Sequence, residues 1–400
     1  GGERGVSSAR MAAAPGEGED YPQPGRPVAP LECRLEAVPR LRVHSIRRTR
    51  NWGSAHAGLV QIVTQLSSDR LGKLQDQCRS WKGTTCAALY CPVPKGRRAA
   101  AQALRKCEGQ LAAALEVIES YPGHAGLEVA LVTAQVENME AAPAEYPVNA
   151  LRNIALSHAT ADLVLLLDVD FLVSAGAAEL WAEDAQWPAM ARSCLGNREL
   201  LVLPAFQVPT REDAWRSAGG GKAALRQAWS DPSSPLKQFA VAEFPQGHRA
   251  TDFGRWMHAS SGYRVHYEEG YEPFVVAPRA LIPWYNPSFT GYGRNKVSHL
   301  LHCAALGMSF YTLPDAWVVH SPHPPSPAFR ATLGAPSERL PDRFLWIMAL
   351  YNTMKLEVLR DAAAASIAYG QHVAPRRGGV VAPMGCWMRG EAPPPLGSQP

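Results

Sequence analysis

Residues 163–170 read LVLLLDVD: five apolar residues, Leu163 to Leu167, that end abruptly in Asp168-Val169-Asp170. A short apolar run closed by polar residues is the pattern of a buried strand. In open α/β sheets, ligands bind outside the carboxyl ends of the strands. Two carboxylates one residue apart at such a mouth are suited to a hard divalent cation, which favours oxygen ligands and commonly takes one or two carboxylates plus substrate phosphates. The placement fits a nucleotide-sugar site. The triplet alone is weak: at average charged-residue usage, Asp-x-Asp turns up by chance roughly once in a chain this long. Strand-end turns also favour Asp. Position gives it weight, with the apolar run before it and Phe171-Leu172 after it.

Outward from this strand, apolar runs alternate with helical patterns. Gly58 to Gln65, Thr85 to Cys91 and Leu127 to Thr133 read as further strands. Asp69 to Trp81, Ala99 to Ser120 and Pro147 to His158 read as the helices between them, Pro147 being compatible with a first helical turn. This alternation predicts βαβ units and a mostly parallel central sheet flanked by helices, an α/β fold. Beyond residue 170 the order is less regular. Glu199 to Phe206 is expected as one more core strand, and Phe274 to Val276 and Trp317 to His320 as short ones. Lys296 to Leu306 and Arg343 to Leu359 are expected as helices, and Glu212 to Lys237, interrupted by Gly219-Gly220-Gly221, as a helix with a loop. In the last helix, Trp346, Leu350 and Met354 recur at helical spacing and are expected in the core. Composition predicts a disordered or linker segment over 1–45, one domain over 46–365 and a flexible Pro/Gly-rich tail over 366–400.

The 400 residues, 46% hydrophobic, are enough to bury a large core. A net charge of +4, with only short basic clusters at Arg47-Arg48-Thr49-Arg50 and Arg97-Arg98, gives no support to a nucleic-acid partner. None of the eight cysteines forms a Cys-x-x-Cys pair, so a structural zinc site is not expected. Their even number permits disulfides in an oxidising lumen, and buried free thiols equally. No stretch approaches the roughly eighteen apolar residues that span a bilayer. The chain begins Gly1-Gly2 rather than Met, which leaves room for an upstream signal or anchor.

The most specific stretch is 284–326, WYNPSFTGYGRNKVSHLLHCAALGMSFYTLPDAWVVHSPHPPS. Asn286, Phe289, Gly291, Tyr292, Gly293, Asn295, Lys296, Val297, Ser298 and His299, followed by Leu313, Pro314, Asp315, Ala316, His320, Pro322, His323, Pro325 and Ser326, resemble the pattern of glycosyltransferase family 49. That family includes glucuronyltransferases that prime and extend the dystroglycan glycan. Gly247-His248 with Thr251, Asp252, Phe253 and Trp256 resembles another of its blocks, as do Glu272-Pro273-Phe274-Val275-Val276 and Asn149 with Leu151-Arg152-Asn153-Ile154-Ala155. Asp69-Arg70-Leu71 through Trp81 and Ala88-Leu89-Tyr90 resemble its N-terminal half. The resemblance covers about residues 58 to 360.

It implies a single GT-A fold that binds a UDP-sugar and a divalent cation, Mn²⁺ or Mg²⁺, with a glycan or glycoprotein as acceptor. It also implies a Golgi-lumen location and a type II membrane anchor upstream. Asp168, Asp170 and His320 are then the expected metal ligands, His320 because it ends the apolar strand AWVVH. His323 is expected to bind phosphate or orient its loop. Thr64, Arg152, Asn153, Asp168, Gly291, Tyr292, Asn295 and Lys296 are the expected donor contacts. The glycines would let backbone approach a sugar, and Tyr292 and Trp256 offer rings to stack on pyranoses or simply to pack. For a glucuronate donor, Arg294 and Lys296 are the candidates to face the acid group. The family's known chemistry inverts the anomeric centre, which requires a base for the acceptor hydroxyl. The Gly-Tyr-Gly loop is followed by Asn295-Lys296 rather than an acidic pair, so Glu272 is the expected base, or an acceptor contact, with Asp252 in reserve. UDP-xylose or UDP-GlcNAc as donor, and a non-catalytic glycan-binding module, are the competing readings.

Overall fold

The computed structural model describes residues 41–53, 60–123, 126–140, 142–175, 177, 194, 196–333 and 342–371. Its first half follows the alternation in the sequence. Strands β1 (Arg42–Arg48), β2 (Val60–Ser67), β3 (Thr85–Pro94), β4 (Leu127–Val136) and β5 (Leu163–Leu166) are joined after β2 by helices α1 (Leu71–Ser80), α2 (Arg97–Glu119) and α3 (Val148–His158). β4, β3, β2 and β5 lie side by side and parallel. Every residue of β5 is buried, as its unbroken apolar run requires.

The second half departs from a mostly parallel sheet. The strands are β6 (Phe171–Val173), β7 (Glu199–Leu203), β8 (Ala205–Gln207), β9 (Lys237–Gln238), β10 (Arg264–Val265), β11 (Phe274–Pro278), β12 (Ser309–Thr312) and β13 (Val318–His320). The main sheet is nine-stranded and mixed, in the order β1-β4-β3-β2-β5-β11-β7-β12-β10. β11 is antiparallel to both β5 and β7, while β12 is parallel to β7. The stretch expected as one strand over 199–206 is split at Pro204, which has no N–H to donate to a ladder. There the chain leaves the main sheet for a second one, four-stranded, in the order β6-β13-β8-β9. The Asp168-Val169-Asp170 turn spans the same gap, since β5 lies in the large sheet and β6 in the small one.

The remaining helices are α4 (Arg211–Gly219), α5 (Lys222–Ser230), α6 (Phe253–His258), α7 (Asn295–Ala305), α8 (Pro327–Leu333) and α9 (Asp342–Gln371). Gly220 and Gly221 separate α4 from α5. In α9 the buried stripe is Ile347, Tyr351 and Met354; of the residues expected in the core, Met354 is buried and Leu350 packs half-buried against the cluster, whereas Trp346 is 42% exposed. β1 begins inside the segment that composition assigned to linker. Its basic residues hide the strand, yet it pairs antiparallel with β4, and Arg48 Nε donates to the buried Glu128 at 2.6 Å. Cys78, Cys86, Cys91, Cys107, Cys194 and Cys303 are buried free thiols, whereas Cys33 and Cys386 lie outside the described residues. Among the described residues no helix is long and apolar enough to cross a membrane.

Candidate active site at the mouth of the sheet

The small sheet delivers the late histidines to the carboxylate turn. β13 pairs with β6 so that His320 faces Phe171, one residue past Asp170. His320 Nε2 lies 3.5 Å from Asp170 Oδ2, and His323 Nε2 lies 2.6 Å from the same oxygen. Potential ligand atoms of Asp170, His320 and His323 all fall within 4.8 Å of one another. Burial alone would raise the Asp170 carboxyl, but the two imidazoles prevail and hold it well below the usual carboxylate range.

Asp168 stands in different company. Its Oδ1 accepts from Arg152 Nη2 at 2.7 Å, and its Oδ2 lies 3.0 Å from Lys296 Nζ. Burial pushes this carboxyl up, while Lys296 and Arg152 more than offset it and leave it below its ordinary value. The sequence grouped Asp168 with Asp170 and His320; the structure puts His323 in that group and gives Asp168 to two cations. Arg152 Nη1 also donates to Asn295 Oδ1 at 2.8 Å and to Asn149 Oδ1 at 3.0 Å. The Lys296 ammonium rests 3.9 Å from the Phe274 ring centroid.

Several of the expected donor contacts also bond to the protein's own main chain. The Asn153 amide donates to Tyr285 O at 2.8 Å and accepts from Tyr285 N at 2.9 Å, so both of its ends are spent on main chain. Trp256 is fully buried and donates to Leu313 O at 2.7 Å, which makes it core rather than a sugar platform. Gly291 has φ +73°, donates to Tyr146 O at 2.7 Å, and a Cβ there would stand 2.5 Å from Ala144 O. Its close approach is to the Ala144 backbone. Gly291→Ala is therefore expected to destabilise the protein by more than about 1 kcal/mol, from left-handed strain plus the clash, as read by thermal denaturation. Tyr292, between two glycines of positive φ, is 43% exposed and meets Phe329 edge-on at 4.8 Å. Thr64 is 1% exposed, and its Oγ1 has no hydrogen-bond partner among the described residues.

Of the two acids considered as base, Glu272 lies within electrostatic reach of Lys296, Arg152 and Asp168, whereas Asp252 caps a helix. Burial pushes the Glu272 carboxyl up; Lys296, Arg152 and Arg294 oppose that, and Asp168 reinforces it. Asp252, exposed at φ +53°, accepts from Arg255 N at 3.0 Å as the N-cap of α6.

Two residues that the motifs did not single out fasten the turn. Lys73 Nζ donates to Ser321 Oγ at 2.8 Å and to Pro322 O at 2.9 Å. Gln77, fully buried, donates to Asp168 O at 2.9 Å and Phe171 O at 3.3 Å. Their i, i+4 spacing places them on one face of α1, and a polar pair on an inward face is the signal that could have found them. Gln77→Leu leaves two main-chain carbonyls without this donor. It is expected to cost about 1–3 kcal/mol in chemical denaturation.

Residues 59–331 match the protein family described as "Glycosyl-transferase for dystroglycan". The chain is 35% identical over 268 residues to the xylosyl- and glucuronyltransferase LARGE2 of Rattus norvegicus, covering 67% of this chain and 35% of the relative. To LARGE2 of Homo sapiens it is 33% identical over 312 residues, covering 78% and 38%, respectively. To the xylosyl- and glucuronyltransferase LARGE1 of Danio rerio it is 32% identical over 279 residues, covering 67% and 31%. The chain thus spans about a third of the length of these curated relatives. Among solved structures, GalNAc-T7 with UDP, GalNAc and Mn²⁺ is 14% identical with a TM-score of 0.32, covering 66% of this chain and 44% of that one. S. aureus TarS 1-349 with UDP-GlcNAc is 10% identical with a TM-score of 0.32, covering 79% and 76%. Superpositions this loose carry no argument about the site.

Proposed function

Because the chain belongs to the family of glycosyltransferases for dystroglycan, we propose that it is a metal-dependent, inverting transferase that moves a sugar, best read as glucuronate, from a UDP-sugar to a glycan hydroxyl. The observation that carries this reading is the pairing of two sets at one sheet mouth: Asp170 with His320 and His323, and Asp168 with Arg152 and Lys296. The same reading assigns a GT-A domain to 46–365, flanking segments to 1–45 and 366–400, and the Golgi lumen as the place of action.

One carboxylate and two imidazoles within 4.8 Å fit a divalent cation. Imidazole ligands favour Mn²⁺ over Mg²⁺, which holds to oxygen. A cation bound there neutralises charge on the departing UDP. Arg152 and Lys296, which already hold Asp168, are cationic donors suited to a diphosphate. Lys296 is committed to Asp168, which leaves Arg294 for the acid group of a glucuronate; its guanidinium lies 5.3 Å from the Phe244 ring and 5.2 Å from that of Tyr351. Glu272 accepts the proton of the acceptor hydroxyl.

Glu272→Gln is expected to lower kcat by about 10²- to 10⁴-fold with UDP affinity unchanged. The raised Glu272 pKa sets the pH profile: the base works only when deprotonated. Activity should therefore rise with pH through a value above the ordinary glutamate range, and that limb should vanish in the variant. A UDP-xylose donor is the second reading, since the relatives' names join xylosyl to glucuronyl transfer and this chain matches about a third of them. A calorimetric titration with UDP tests the function itself. Binding that needs Mn²⁺ supports it, and no binding with or without Mn²⁺ contradicts it.

A further inference from the structure

His248 takes no part in the chemistry above, yet it sits inside the same wall. It is 1% exposed, its ring lies at 28° to Phe274 with centroids 6.1 Å apart, and it meets Phe239 edge-on at 5.4 Å. Phe239 in turn lies 5.3 Å from the His320 ring, and Phe274 carries the Lys296 ammonium. One aromatic ring thus separates His248 from the candidate metal group, and one from the candidate diphosphate group. The preceding Gly247 accepts from Glu272 N at 2.8 Å, which ties the block to the candidate base. A Cβ at Gly247 would stand 2.8 Å from the Phe244 ring and 3.2 Å from Glu272 Cγ, so the approach needs glycine.

Among the described residues, His248 Nε2 is buried and has no hydrogen-bond partner. Buried polar atoms are nearly always paired, so an open one at a site asks for a ligand. Burial, aided by Lys296, pushes the imidazole pKa down to about 3. The ring is therefore neutral, with one nitrogen donating and the other accepting. A neutral ring cannot balance a carboxylate or a phosphate. It matches an uncharged group that both donates and accepts, and a sugar hydroxyl is such a group. The Phe239 ring, half-buried beside it, offers apolar surface to the C–H face of a pyranose, while Phe274 is core and backs the imidazole.

We propose that His248 binds the donor sugar itself, its Nε2 hydrogen-bonding a pyranose hydroxyl of the nucleotide sugar and so reading the sugar rather than the nucleotide. The inference rests on the transferase reading above. Calorimetry with UDP, UDP-glucuronate and UDP-xylose in Mn²⁺ tests it on the wild type, His248→Phe and His248→Gln. In His248→Phe the preferred UDP-sugar should bind about tenfold more weakly or worse, about what one lost hydrogen bond accounts for, while UDP binds as before. His248→Gln, which keeps an amide in place of the ring nitrogen, should recover part of the loss. Replacing an unpaired buried nitrogen by carbon should leave the melting temperature no lower, whereas a purely structural histidine would lower it. UDP and UDP-sugar weakened equally, or neither weakened, overturns the proposal alone. A wild type that binds no UDP overturns the transferase reading and this with it.

Discussion

Replacing Arg152 by Met should destabilise the protein by about 2–4 kcal/mol, below the full range for a buried ion pair because the Asp168 side chain is 25% exposed. The guanidinium is the hub of the site: it donates to Asp168, Asn149 and Asn295 and lies 5.3 Å from the Tyr285 ring. Its loss leaves the half-buried Asp168 carboxylate with Lys296 alone and frees two amide oxygens, that of the buried Asn149 and that of the half-buried Asn295. Urea unfolding of Arg152→Met beside the double variant Arg152→Met/Asp168→Asn measures this. The double variant should recover part of the loss, because the stranded charge is gone. A single-variant cost below about 1 kcal/mol would mean that Arg152 is not the hub described.

Asp170→Ala should abolish Mn²⁺ binding and lower metal-dependent turnover by at least about 10³-fold, while Asp168→Asn should keep the cation and lose UDP affinity. The contrast follows from the geometry, which places Asp170 with His320 and His323 and gives both oxygens of Asp168 to cations. Electron paramagnetic resonance of Mn²⁺ titrated into each variant separates them. Equal loss of Mn²⁺ binding in both would restore the expectation that Asp168 is itself a ligand.

How much of this is legible in the sequence depends on the range of the interactions. β5, its two carboxylates and the helices around it can be read because periodicity is local, and the motif blocks supply the side chains that the structure gathers around the carboxylate turn. The pairing of His323 with Asp170 cannot be read. It rests on three-residue strands, β6 and β13, whose partners lie far apart in sequence, and such strands are too short to show a period. The motifs mark Lys296 as a donor contact, but only the fold shows that Asp168 holds it. Asn153, Gly291 and Trp256 sit in the motif blocks, and the structure sets each against main chain. A motif records that a residue type is needed, not whether its partner is ligand, backbone or core. Pro204 is visible in the sequence, and its missing N–H explains why one expected strand becomes two in different sheets.

On the transferase reading, transfer from a UDP-sugar depends on a cation held at Asp170. UDP release by the purified protein with Mn²⁺, across UDP-glucuronate, UDP-xylose and UDP-GlcNAc and beside Asp170→Ala, tests it most directly. Mn²⁺-dependent release, fastest with UDP-glucuronate and lost in the variant, is the expected result. Release that persists in Asp170→Ala, or that is indifferent to the cation, would contradict it.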